Sequence, residues 1–131
     1  MLALSIRQPW VWAIMVAGKP VENRTWPTRF RGEFLIHASK GMTKGEYQAF
    51  GMFYEHEINE GPPYPPPCPP MAQLQRGGIV GKARLVDCVQ SHPSPWFQGP
   101  FGFVLADVQP LPFVECKCDL GFFKPGISLA A

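Results

Sequence analysis

No apolar run in this 131-residue chain is long enough to cross a bilayer. The opening residues MLALSIRQPW have no basic start, and Arg7 and Gln8 break their apolar run. Neither a secretory leader nor a membrane partner is therefore expected, and the expected setting is cytoplasmic. Cysteine is scarce and poorly spaced for metal: Cys68, Cys88, Cys116 and Cys118 form no CxxC pair, and CKC alone is a poor chelate. In an extended VECKCDL the two sulfurs would share one face, with Lys117 on the other. His56 and His92 add nothing to that set, so buried free thiols are expected, with no metal and no cofactor. The chain has no internal repeat. It also lacks the charge excess of a disordered segment, since 46% of residues are hydrophobic and 17% charged. Its length fits one domain, over 1–131, with a core that needs no disulfides.

Proline, by contrast, is abundant, with sixteen residues. Seven of them fall in GPPYPPPCPP, residues 61–70, which can form neither a helix nor a central strand. This stretch is expected to be a stiff extended loop that connects two elements. A docking segment for a proline-binding domain is the alternative. Upstream, LALSIR (2–7) patterns as a strand. QPW then opens a helix of about ten residues, with Pro9 at its first position and Gly18 at its end. KPVENRTWP reads as a short irregular strand or loop, and RGEFLIHAS as a strong strand. Thr43 followed by Glu46 has the spacing of a capping box, placing a second helix from Lys44 to about His56. Beyond the prolines, GGIVGKARLVDCVQ is a long strand in which Gly81 marks a bulge or a close backbone approach. FGFVLADVQ and LPFVEC are two further strands, and LGFFKPG a closing turn carrying Phe122 and Phe123. Irregularly spaced strands with two early helices predict an α+β, mainly β fold: a curved sheet or barrel decorated by helices, not a parallel α/β sheet.

The net charge of +2 conceals an asymmetry. Residues 1–44 hold Arg7, Lys19, Arg24, Arg29, Arg31, Lys40 and Lys44 against Glu22 and Glu33, a net of +5. The remainder carries −3, so basic character is local, as an anionic partner would require. Arginines present planar, bidentate donors to phosphate, and Arg or an aromatic ring can stack on an unpaired base. Trp26 and Trp96, in proline-flanked loops, are the stacking candidates, with packing into the core as their other reading. Trp10 and Trp12 are expected in the core. His37 is either a hydrogen-bonded strand histidine or a site residue, and Lys40 would line the same opening if the chain folds back there.

The segment LSIRQPWVWAIMVAGKPVENRTWPTRFRGEFLIHASK resembles the N-terminal signature of ASCH domains, within the PUA-like superfamily. GGIVGKARLVDCV, GPFGFVLADVQPLP and CKCDLGFF continue the likeness, so it spans nearly all of the chain except the proline-rich stretch. The resemblance implies a PUA-like β-barrel with short helices packed near one opening. It also implies that the cleft beside the first helix handles RNA, a nucleotide or a modified base. Some relatives hydrolyse N4-acetylcytidine and others have been credited with ribonuclease activity, so the family leaves binding and catalysis open.

In the hydrolytic branch a Lys ends the first helix, a Thr follows three positions on, an Arg two beyond that, and a Glu lies far away. Lys19 and Arg24 match this pattern, but Glu22 stands where the Thr would be, and spacing does not locate the distant Glu. A Lys19–Glu22 pair could still transfer protons in a dry cleft. The leading expectation is a module that binds RNA, single-stranded nucleic acid or a modified nucleotide. Its ligand-binding candidates are Arg7, Arg24, Trp26, Arg29, Arg31, His37, Lys40 and Trp96. The alternative is a small amidohydrolase or ribonuclease with Lys19 and Glu22 catalytic. A protein adaptor acting through the proline-rich loop is the third reading.

Overall fold

The computed structural model describes residues 1–127. Six strands form one curled, mainly β sheet: β1 (Ala3–Ile6), β2 (Val21–Arg24), β3 (Gly32–Ala38), β4 (Gly78–Val89), β5 (Phe101–Glu115) and β6 (Phe122–Phe123). Their spatial order is β2-β5-β4-β3-β1-β6, and every neighbouring pair is antiparallel except β1 with β3. The architecture is the expected α+β half-barrel of PUA-like type.

The curl comes from the two longest strands. Register shifts interrupt the β4–β5 ladder at three places, and each bulge adds local twist. Gly81 lies at one of them, where a Cβ would sit 2.7 Å from the Gln109 carbonyl oxygen and 2.5 Å from Met15 Cε. The expected close backbone approach is therefore real, and it lets the first helix press on the sheet. FGFVLADVQ and LPFVEC prove to be one fifteen-residue strand. β2 pairs only with Phe101–Val104, so beyond that point β5 has an open edge on which Pro110 and Pro112 interrupt no ladder.

The first helix, α1 (Trp10–Met15), is six residues long, shorter than expected. Pro9 caps it from outside, and the buried Gln8 accepts from the Trp12 backbone N–H through Oε1 at 3.0 Å. Gly18, at φ +78°, turns the chain so that the Lys19 N–H bonds back to the Ala13 carbonyl. α1 is buried on two sides. Val11 and Ile14 join the barrel interior with Leu4, Phe34, Ile36 and Phe103. Trp12 and Ala13 pack outward against Phe50, Tyr54 and Trp96.

The second helix, α2 (Lys44–Phe53), begins at Thr43 with both hydrogen bonds of the capping box and widens into a π-type turn over Tyr54–Ile58. Tyr47 and Tyr54 donate their hydroxyls to the Pro69 and Pro66 carbonyls. The proline-rich stretch is thereby strapped onto α2 as an extended connector. Among the described residues, no helix is long and apolar enough to cross a membrane.

Cys116 and Cys118 do not share a face. β5 ends at Glu115, and the chain then buries Cys116 beside the Lys117 and Pro125 carbonyls while Cys118 is exposed.

Candidate nucleotide cleft

The sheet fails to close between its edge strands, and that failure makes the site. β6 reaches only Ala3 and Leu4 of β1. Leu2 and Ile6 send their carbonyls to β3, so the intervening Ser5 carbonyl points the other way, toward β2. Arg24 closes this gap with a side chain, its Nη2 donating to Ser5 O at 2.8 Å. Lower in the same seam the gap is filled by rings: Trp26 packs edge-on against Phe103 and Phe122.

Above the rings lies a cleft of about 310 Å³, lined chiefly by Ser5, Arg7, Trp10, Lys19, Glu22, Asn23, Arg24 and Gln98. The two-residue period of β2 puts Glu22 and Arg24 on one face. Glu22 is buried and holds a cation at each oxygen: Lys19 Nζ lies 3.1 Å from Oε1 and Arg24 Nη2 3.2 Å from Oε2. Lys19 is 2% exposed and also donates to the Val21 carbonyl at 2.6 Å. Its ammonium stands 5.5 Å from the centre of the Trp10 ring, within cation–π range. Arg24 Nε is buried with no hydrogen-bond partner among the described residues. Three ionised groups thus sit at the floor of the cleft, where burial makes every unpaired donor costly.

Asn23 fixes the opposite wall. Its amide donates to the Trp96 carbonyl at 3.0 Å, and its oxygen accepts from the Gln98 and Gly99 N–H groups at 2.9 and 3.2 Å. That clamp holds the loop carrying Gln98 over the cleft. At the rim, Arg7 makes a bidentate pair with Glu46 at 2.6 and 2.7 Å. The Arg7 guanidinium, with the Thr43 backbone N–H, draws the Glu46 carboxyl down to about 2 from 4.5. A depressed carboxyl stabilises the fold above its unfolded pKa and loses that contribution as pH falls through the folded one. Glu46→Gln should therefore flatten the acid limb of the stability curve between about pH 4.5 and 2. Urea midpoints measured against pH check this, and an unchanged limb would refute the pairing. The effect is expected to be small because the pair faces solvent.

The cleft gathers Lys19, Glu22, Arg24 and Arg7, and not the other candidates. Trp96 is 5% exposed, sandwiched among Phe50, Phe53 and Tyr54, so it is not available to stack on a base. Trp26 is spent on the seam. Trp10, expected in the core, is instead half-buried and forms a wall of the cleft. Arg31 shapes its own loop by donating to the Thr28 and Phe30 carbonyls and lies 3.7 Å from Asp87; Arg29 is exposed beside it.

His37 is buried, with Nε2 2.6 Å from the Cys116 carbonyl and Nδ1 2.9 Å from Ser5 Oγ. A carbonyl only accepts, so Nε2 donates and Nδ1 accepts from the serine. This is a satisfied strand histidine. Lys40 lies outside the cleft, on a neighbouring groove. Among the described residues no cluster of three or more His, Cys, Asp or Glu side chains could hold a metal ion.

The sequence reading missed Ser5, Asn23 and Gln98. Asn23 carried a usable signal, lying inside β2 between two charged residues. Ser5 and Gln98 carried none, since only the strand order brings them to the seam.

A profile of the ASCH domain matches residues 4–102. The chain belongs to the ASCH domain family. The match covers the strands and helix that build the cleft, from β1 and α1 through β2 to the Gln98 loop. No curated protein matches this ASCH domain at a significant level.

Proposed function

We propose that this ASCH domain binds RNA, or a modified nucleotide, by taking one unpaired base into the cleft between β1 and β2. The observation that carries the reading is the buried Lys19–Glu22–Arg24 network. Burying three charges costs several kcal/mol per ion before pairing offsets it, and apolar residues would close the seam at least as stably. The network does supply what an unpaired base requires: a carboxylate acceptor flanked by N–H donors, complementary to a base edge. Arg24 Nε, buried beside the carboxylate, is a further N–H without a partner among the described residues. Trp10 provides the ring for stacking, in the role expected of Trp26 and Trp96.

The contact of Lys19 Nζ with Glu22 Oε1 favours a second reading, acid–base hydrolysis of an acylated nucleoside. Against it, position 22 has no hydroxyl, and the Ser5 hydroxyl is engaged by His37.

Titration of an unstructured RNA octamer and of free nucleosides tests the binding reading. Trp10→Leu keeps an apolar side chain against Phe50 and Phe53 while removing the stacking face, and should weaken binding by about 5- to 100-fold. Gln98→Ala, an exposed change, should weaken it less. A wild type that binds neither ligand, or binding indifferent to both changes, would refute the proposal.

A further inference from the structure

We propose that single-stranded RNA, on leaving the cleft, runs over a cationic ledge formed by Lys40, Arg76 and Lys117. This rests on the nucleotide reading of the cleft and adds the path of the backbone. The three residues are far apart in sequence, but hydrogen bonds beyond the sheet set their segments side by side. Gly77 N–H donates to the Ala38 carbonyl at 2.7 Å, and Cys116 N–H donates to the Gly77 carbonyl at 3.1 Å. Arg76 Nη1 donates to the Lys40 carbonyl at 2.9 Å.

The ledge is shaped for its lysine. Gly77 has φ +82°, and a Cβ there would stand 3.0 Å from Lys40 Cγ, so the glycine lets the Lys40 stem lie flat across the backbone. The same device links the ledge to the cleft, since a Cβ on Gly41 would meet Arg7 Nη1 at 2.7 Å. Arg7, a cleft residue, therefore abuts the residue after Lys40. Lys40 and Lys117 then flank a groove of about 590 Å³ that also touches His37, Glu115 and Cys118.

Charge pairing separates this face from the basic face of the sheet. Arg31, Lys82 and Arg84 lie within 4 Å of Asp87, Glu33 or Asp107, whereas Lys40, Arg76 and Lys117 have no ion-pair partner among the described residues. Arg29, Lys44 and Lys124 are likewise unpaired among them, but no hydrogen bond or shared groove ties them to Lys40, Arg76 or Lys117. Glu115 is the opposing charge in the groove, and Glu46 is committed to Arg7. Unpaired cations in file beside a base-sized cleft fit a phosphate backbone.

The test is the triple variant Lys40→Gln, Arg76→Gln, Lys117→Gln, titrated with an unstructured RNA dodecamer, with a mononucleotide and with vesicles containing phosphatidylserine. Each phosphate contact on a single strand contributes roughly 0.7 to the log–log salt slope, so the slope should fall by about 2 and dodecamer affinity by on the order of 10- to 100-fold. Mononucleotide affinity should stay at the wild-type value. A dodecamer slope equal to wild type refutes the ledge and leaves the cleft standing. No binding of mononucleotide or dodecamer by wild type removes both readings. Vesicle binding stronger than dodecamer binding, and lost in the variant, reassigns the ledge to a membrane surface.

Discussion

Phe50→Ala is expected to lower the unfolding free energy by about 3 to 5 kcal/mol, the range for truncating a buried aromatic side chain. Phe50 is 1% exposed and lies at the centre of the outer aromatic layer. Its ring is 5.0 Å from Trp10, 5.5 Å from Tyr54, 6.2 Å from Trp12 and 6.4 Å from Trp96. One side chain thus ties α1, α2 and the Trp96 loop into a single layer. The cavity left by alanine would be ringed by large, rigid groups that collapse poorly, which puts the cost toward the upper end. Met52, on the same helix but exposed, should tolerate alanine within about 0.5 kcal/mol. Denaturant unfolding of both variants checks the pair. A loss below about 1 kcal/mol for Phe50→Ala would show that the layer contributes little. Because Trp10 leans on Phe50, the same change should also loosen the wall of the cleft.

Local chemistry was readable wherever neighbours in sequence decide the outcome. The capping box at Thr43 and Glu46 needs only a spacing of three, and it forms. Gly81 announced a close approach because a missing side chain inside a strand has few other uses. The fifteen-residue β5 was not readable. Pro110 and Pro112 argue for a break unless the strand is known to have an open edge there, and strand order is a property of the whole sheet. The length of α1 was misjudged for a related reason. Its apolar pattern continues to Ala17, but the chain must turn at Gly18 to deliver Lys19 to the seam.

The site divides along the same line. Lys19, Glu22 and Arg24 were visible as a set through the resemblance to ASCH domains, whose signature puts its Lys, third-position residue and Arg within six residues of one another. Which tryptophan faces the cleft was not legible, because Trp10 and Trp96 each sit among apolar and proline neighbours. Which of them faces solvent depends on α2, contributed by a segment that starts far along the chain from Trp10 and Trp96 alike. Arg29 and Arg31 raised the local charge count, yet loop carbonyls and Asp87 engage Arg31. The ledge residues Arg76 and Lys117 come from the part of the chain with negative net charge, so a count by region passes over them.

The largest effect at the cleft is expected from Glu22→Ala. It leaves Lys19 and Arg24 beside each other without their shared carboxylate, and breaking a buried ion pair from one side costs about 3 to 5 kcal/mol. Lys19 is the partner that cannot escape, because its side chain is 1% exposed and Arg24's is 21%. Adding Lys19→Met should therefore restore much of the loss, since the methionine fills the lysine's space without a charge to solvate. The double-mutant cycle would then show a coupling of at least about 1 kcal/mol, and additive losses would mean that the two residues do not act as a unit. Glu22→Gln separates binder from hydrolase more gently, because the amide keeps the shape of the carboxylate and an acceptor for Lys19. For a binding site, ligand affinity should fall, and wild type should release no acetate from N4-acetylcytidine. For a hydrolase, wild type would release acetate, and the glutamine variant would bind the nucleoside while its turnover collapsed, as when a general acid or base is lost. Acetate release that depends on Glu22 would overturn the binding proposal and make the Lys19–Glu22 contact the catalytic pair.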